Sequence, residues 1–157
     1  MQNEIINQYS HTWRVFVRLV KDFDDTSWLH TGRKDMTPAR LSFHMLKSTK
    51  YYISDQTEIH FASGKAFDVN CSAVEESDLP SRNDVIACID YFSNKTTQWL
   101  AEIDFSSPNE AFPWAGKTKA GVVLFMLRHF LYHLGELSCL LNESLNGEAE
   151  DNYVKAL

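Results

Sequence analysis

The sequence predicts an all-α fold, a four-helix bundle. Apolar residues recur at three- and four-residue spacing over long stretches, and no segment alternates in the manner of a half-buried strand. Helix start and stop signals bound these stretches. At 157 residues the chain is long enough for one domain with a sizeable core.

Ile5, Tyr9, Trp13, Phe16, Val17 and Val20 form one apolar stripe, which places a first helix over about residues 2–23. Asp24-Asp25-Thr26-Ser27 breaks the pattern, and Trp28-Leu29-His30 is expected as loop. A second helix opens at Thr37-Pro38, with Thr37 as N-cap and Pro38 at the first helical position, which tolerates a missing N–H. It is expected to run to about Asp55. Residues 56–79 show no sustained period and carry Gly64, Asn70 and the acidic Glu75-Glu76-Ser77-Asp78. A connection this long is expected as a functional lid or irregular excursion rather than a simple linker. A third helix follows Pro80, capped by Ser81 or Asn83. It carries Val85, Ile89, Phe92, Thr96, Trp99, Leu100 and Ile103 on one stripe and stops before Ser106-Ser107-Pro108. Asn109 to Lys117, with Pro113-Trp114 and Gly116, is expected as an ordered loop. The fourth helix runs from near Thr118 to Asn146-Gly147, a pair suited to a left-handed C-cap. Residues 1–147 thus form the bundle domain, and 148–157 a loosely held tail.

The formal net charge of −6 and pI near 5.4 leave no basic stripe for a phosphate backbone, which argues against nucleic-acid binding. No apolar run approaches membrane-spanning length, and the N-terminus lacks the pattern of a signal peptide. Three widely spaced cysteines, Cys71, Cys88 and Cys139, suit reduced thiols, so the expected setting is cytoplasmic. No C-x-x-C pair, nucleophile elbow, P-loop or dinucleotide signature occurs.

The chemistry-bearing motif is Arg128-His-Phe-Leu-Tyr-His-Leu-Gly-Glu-Leu137. Four helical steps place His129 and His133 about 40° apart on one face. Two imidazoles so spaced can share one divalent metal, and His44 on the second helix offers a third ligand. The wheel has all three pointing into the bundle, with Glu136 one turn beyond His133. A lone histidine on an apolar face is more often a hydrogen-bonded core residue. Three of them beside a glutamate must each find a partner, and one metal satisfies them together. Three neutral imidazoles leave open coordination positions, as in a catalytic site. Zinc, nickel and iron all suit imidazole. Glu136 can orient an imidazole, act as a catalytic base, or serve as an ion-paired helix residue; the sequence leaves these open. His11, His30 and His60 read as surface or ordinary hydrogen-bonding residues.

The single histidine of Ala39-Arg-Leu-Ser-Phe-His-Met-Leu-Lys47, followed by His129-x3-His133-Leu-Gly-Glu-Leu, resembles the DinB/YfiT superfamily of metalloenzymes in motif order over nearly the whole chain. The resemblance implies an up-down-down-up bundle with a divalent metal at its mouth, held by His44, His129 and His133. It further implies an enzyme acting on a small-molecule substrate. The first expectation is transfer of a low-molecular-weight thiol to an electrophile, as an S-transferase or isomerase. The alternatives are a metal-dependent hydrolase and, from another class, a non-catalytic metal-binding or interaction bundle, for which the lack of a recognisable thiol-reading cluster speaks.

Leu124, Leu131, Gly135 and Ser138 lie on the side of the fourth helix away from the histidines, and Leu46 and Ile53 lie roughly opposite His44. These faces, and a mid-helix glycine that costs about 1 kcal/mol against alanine, suggest a homodimer, as the resemblance also does. Burial by the Trp114 loop or the 56–79 excursion is the alternative.

Overall fold

Local side-chain capping sets where four of the six helices begin. In the computed structural model, which describes all 157 residues, Met1–Leu157, six helices form: α1 (Gln2–Asp22), α2 (Asp25–His30), α3 (Pro38–Tyr52), α4 (Arg82–Glu102), α5 (Lys119–Ser144) and α6 (Asn152–Lys155). Thr37 Oγ1 accepts from Arg40 N at the head of α3. Ser81 heads α4 in a capping box, its hydroxyl receiving Asp84 N while the Asp84 carboxylate receives Ser81 N. No strand forms; the only β pairings are two isolated bridges, His60 with Ala66 and Pro108 with Thr118. No helix is long and apolar enough to cross a membrane.

The four long helices pack around one core, and specific contacts fix their directions. Gln2 at the head of α1 donates to Leu100 O and Ala101 O at the end of α4, while Arg82 at the head of α4 meets Lys21 O and Asp25; α1 and α4 are antiparallel. Tyr9 donates to Val123 O and Trp13 packs on Phe130, so α1 and α5 run parallel. Tyr52 near the end of α3 packs on Phe125 early in α5, and His44 on the later His133, so α3 and α5 are antiparallel. Arg40 near the start of α3 reaches Cys71 O and Val74 O just ahead of α4, and Asp55 beyond its end meets Tyr91; α3 and α4 are parallel. A parallel pair of successive helices needs a long return, and residues 56–79 supply it.

That return is an irregular excursion that fills core. Phe61 and Phe67 pack edge-on against Phe43 of α3, and both are buried. Asp84 staples the excursion to α4, accepting from Ser63 N at 2.9 Å and Ser63 Oγ at 2.8 Å. Burial alone would push the Asp84 carboxyl up, but the bonds from Ser63 and Ser81 hold it below its usual value.

Four expectations need correction. Asp24 does not merely end α1: its carboxylate accepts from Ser27 N at 2.7 Å and starts α2, so Trp28 is helical and buried, its Nε1 donating to Pro80 O. The tail is docked rather than loose. Asn152 and Ala156 are buried, Asn152 Nδ2 donates to Asp22 and Arg14 Nε to Ala156 O. Leu46 and Ile53 form no second face, because both lie in the core. α3 ends at Tyr52, three residues early, where Ser54 adopts φ 56°. On α5, Leu124 and Leu131 are exposed as the wheel suggested.

Asp84→Ala is expected to cost about 2–3 kcal/mol, since it removes a cap and strands the Ser63 N–H, and urea unfolding measures it. A Cβ at Gly135 meets nothing within 4 Å. Gly135→Ala should therefore stabilise the isolated chain by up to about 1 kcal/mol; a lower melting temperature would show that another backbone covers this face.

Candidate metal centre

α3 and α5 carry the three histidines to one place because the pair is antiparallel and closely packed. The core stripe of α5 runs through Met126, Phe130, Leu134, Leu137 and Leu141, all buried. His129 and His133 sit beside that stripe, about a quarter-turn away on the helical wheel. They therefore do not point into the bundle core as expected. They project across the α3–α5 seam and meet His44, and all three imidazoles are half-buried.

The ring nitrogens converge. His44 Nε2 lies 3.4 Å from His129 Nε2, His129 Nε2 lies 3.0 Å from His133 Nε2, and one ligand atom from each residue falls within 4.8 Å of the others. Three nitrogens bound tetrahedrally to zinc at about 2.0–2.1 Å stand about 3.3 Å apart. The observed spacings are close to that, so the three residues form a group that could hold a metal ion.

Glu136 is placed behind His133, not in front of the cluster. Its Oε2 is 2.6 Å from His133 Nδ1. An ionised carboxylate only accepts, so Nδ1 carries the proton and Nε2 presents a lone pair to the cluster. This is the outer hydrogen bond that fixes tautomer and ring angle in metal-binding histidines. Of the roles open in the sequence, this contact fits both orientation of an imidazole and an ion pair. Ser48 Oγ lies 3.4 Å from His44 Nε2, one helical turn along α3. Phe125 stacks on His129 with ring planes 10° apart.

Burial sets the protonation state of His44 and His129. Desolvation holds His44 below its usual value, helped by the neighbouring His133 and opposed by Glu136. Desolvation lowers His129 to about 4, with His133 and His44 adding to the effect. Both imidazoles are therefore neutral at pH 7 and available as ligands.

The other candidates fall away from this centre. His30 and His60 are exposed beside Glu76 and Glu58. His11 is buried, 3.0 Å from Tyr153 O; it anchors the tail, a role that its spacing in α1 does not reveal. The three cysteines are unpaired, and burial with the Asp84 charge pushes the Cys88 thiol up to about 11.

Set against family models, curated proteins and solved structures, the chain finds no match in any of the three. The site stands on its geometry: an all-helical protein with three histidines gathered on one inter-helix seam.

The lowered pKa values of His44 and His129 have a sign for stability. Below about 6.5 the unfolded chain takes up protons that the metal-free native state resists, so stability falls as pH drops from about 6.5 toward 4, and neither group contributes above 6.5. In chelator, the urea midpoint should fall between pH ~7.5 and ~4.5, and the fall should be shallower in His129→Gln. An identical fall in both proteins would contradict the assignment of His129.

Proposed function

We propose that this protein is a metal-dependent enzyme of the DinB/YfiT kind, with His44, His129 and His133 as the ligands of one divalent transition metal. The convergence of three Nε2 atoms, with edges of 3.0 and 3.4 Å, carries the reading. The helix directions support it: α1 and α5 run one way and α3 and α4 the other, the up-down-down-up order of that family. Zinc, nickel and iron all suit the donor set.

A divalent ion in three neutral imidazoles keeps its full charge and open positions, and so supplies Lewis acidity and a lowered pKa for a thiol or water. The chain's own residues do the rest. Burial keeps His44 and His129 unprotonated. Glu136 holds the His133 tautomer, and Phe125 backs His129 and keeps bulk water from that side.

The reaction we favour is transfer of a low-molecular-weight thiol to a small electrophile. Glu136 Oε2 is engaged at 2.6 Å with His133 Nδ1, so it is badly placed to take a proton from a nucleophile. Thiol transfer asks less of a separate base than hydrolysis does, because a thiol ionises far more readily than water. We further propose that the protein acts in the cytoplasm, and that the exposed Leu124–Leu131 face of α5 pairs two copies.

Purified protein is expected to take up about one divalent metal per chain, and His129→Ala or His44→Ala to lose it by elemental analysis; wild-type content in either would refute the ligand set. Glu136→Gln should retain the site but weaken metal affinity about 10–100-fold, measured by competition with a chromogenic chelator. Affinity unchanged in this variant would leave Glu136 a surface partner only.

A further inference from the structure

Aromatic rings run without a break from the histidine cluster to the surface. Phe125 and Tyr52 flank His129 at centroid distances of 6.1 and 6.3 Å. Phe112 lies 5.1 Å from Tyr52, and Trp114 lies 5.9 Å beyond Phe112. The outermost ring is open: Trp114 is 56 % exposed, and its Nε1 donates to the Tyr52 hydroxyl at 3.3 Å.

This wall is held in shape before anything binds. Buried Asn109 ties the loop that carries it, donating from Nδ2 to Phe112 O at 2.6 Å and to Gly116 O at 2.7 Å, and accepting from Phe112 N at Oδ1. The loop then seats directly on the first turn of α5. A Cβ at Gly121 would stand 2.5 Å from Ala115 O, so only glycine permits that approach. Gly116, at φ 118°, makes the turn into α5. A rigid, exposed indole at the end of an apolar wall is costly to leave in water and pre-organised to bind an apolar group.

We propose that Tyr52 and Trp114, backed by the buried Phe112, are the specificity surface for a planar apolar group, aromatic or similarly flat, on the small molecule whose reacting atoms lie at the histidine cluster. The proposal rests on the metal reading above and narrows its substrate to amphipathic molecules with a reactive head and a flat apolar tail. The rings offer face and edge contacts at 5–6 Å spacing, which suit a further ring.

The test uses the full chain loaded with cobalt(II), whose visible bands report binding at the metal. Imidazole and 4-phenylimidazole are titrated in turn. The phenyl compound should bind at least about tenfold more tightly than imidazole in the wild type. That preference should shrink to about threefold or less in Trp114→Ala and survive in Trp114→Phe. Trp114 is an exposed side chain, so neither variant threatens the fold. Equal affinities in the wild type, or a preference untouched by Trp114→Ala, would overturn the proposal while leaving the metal centre standing. Absence of cobalt bands in the wild type would overturn the metal reading, and this proposal with it. A wild-type dimer that Trp114→Ala dissociates, seen by sedimentation, would assign the wall to contact between copies and also overturn it.

Discussion

Three imidazole nitrogens crowd together at 3.0 and 3.4 Å on a seam whose burial holds His44 and His129 unprotonated, and the rest of the structure is arranged around that constraint. Glu136 fixes the His133 tautomer so that Nε2 bears a lone pair toward its neighbours. Without an ion, a single proton on His129 can bridge to His133, but His44 then has only the long contacts at 3.4 Å to His129 and Ser48. A shared cation satisfies all three nitrogens at once. Polar groups removed from water need such partners, and spacings of 3.0 and 3.4 Å are close to those of ligands around one ion.

The fold serves this convergence through its long connections. α3 and α4 follow one another in sequence yet run parallel, which requires residues 56–79 to return along the bundle. The return repays its length by burying Phe61 and Phe67 against Phe43 and by its bonds to Asp84 and Arg40. With α4 placed beside α1 and α3, the remaining side of α3 is free for α5. The antiparallel pairing of these two brings His44 opposite the His129–His133 turn. The loop ahead of α5 is then fixed by Asn109 and Gly121, which puts aromatic rings next to the cluster.

Most of the long-range plan was legible in the sequence because it is written in local signals. Thr37-Pro38, Ser81 and Asn146-Gly147 mark ends by capping chemistry, and the H-x3-H spacing needs only helix geometry. What escaped depends on tertiary context. A six-residue helix has too few positions to show a period, so α2 is visible only through the Asp24 cap. The tail looks polar, yet Asn152 and Ala156 find places on α1 that no local pattern announces. Leu46 and Ile53 seem to make a second face on a wheel because α3 is packed by neighbours on more than one side. The wheel also aimed the histidines into the core, whereas they face the α3–α5 seam, because which stripe of α5 is buried depends on how its neighbours pack. The aromatic wall draws Tyr52, Phe112, Trp114 and Phe125 from two helices and a loop, and no spacing rule joins them.

The most direct measurement is X-ray absorption at the zinc edge on zinc-loaded protein. Three imidazole nitrogens are expected at about 2.0–2.1 Å with the multiple scattering of histidine rings, reduced to two in His44→Ala. A shell of two or fewer imidazoles in the wild type, or one unchanged by His44→Ala, would contradict the three-histidine centre.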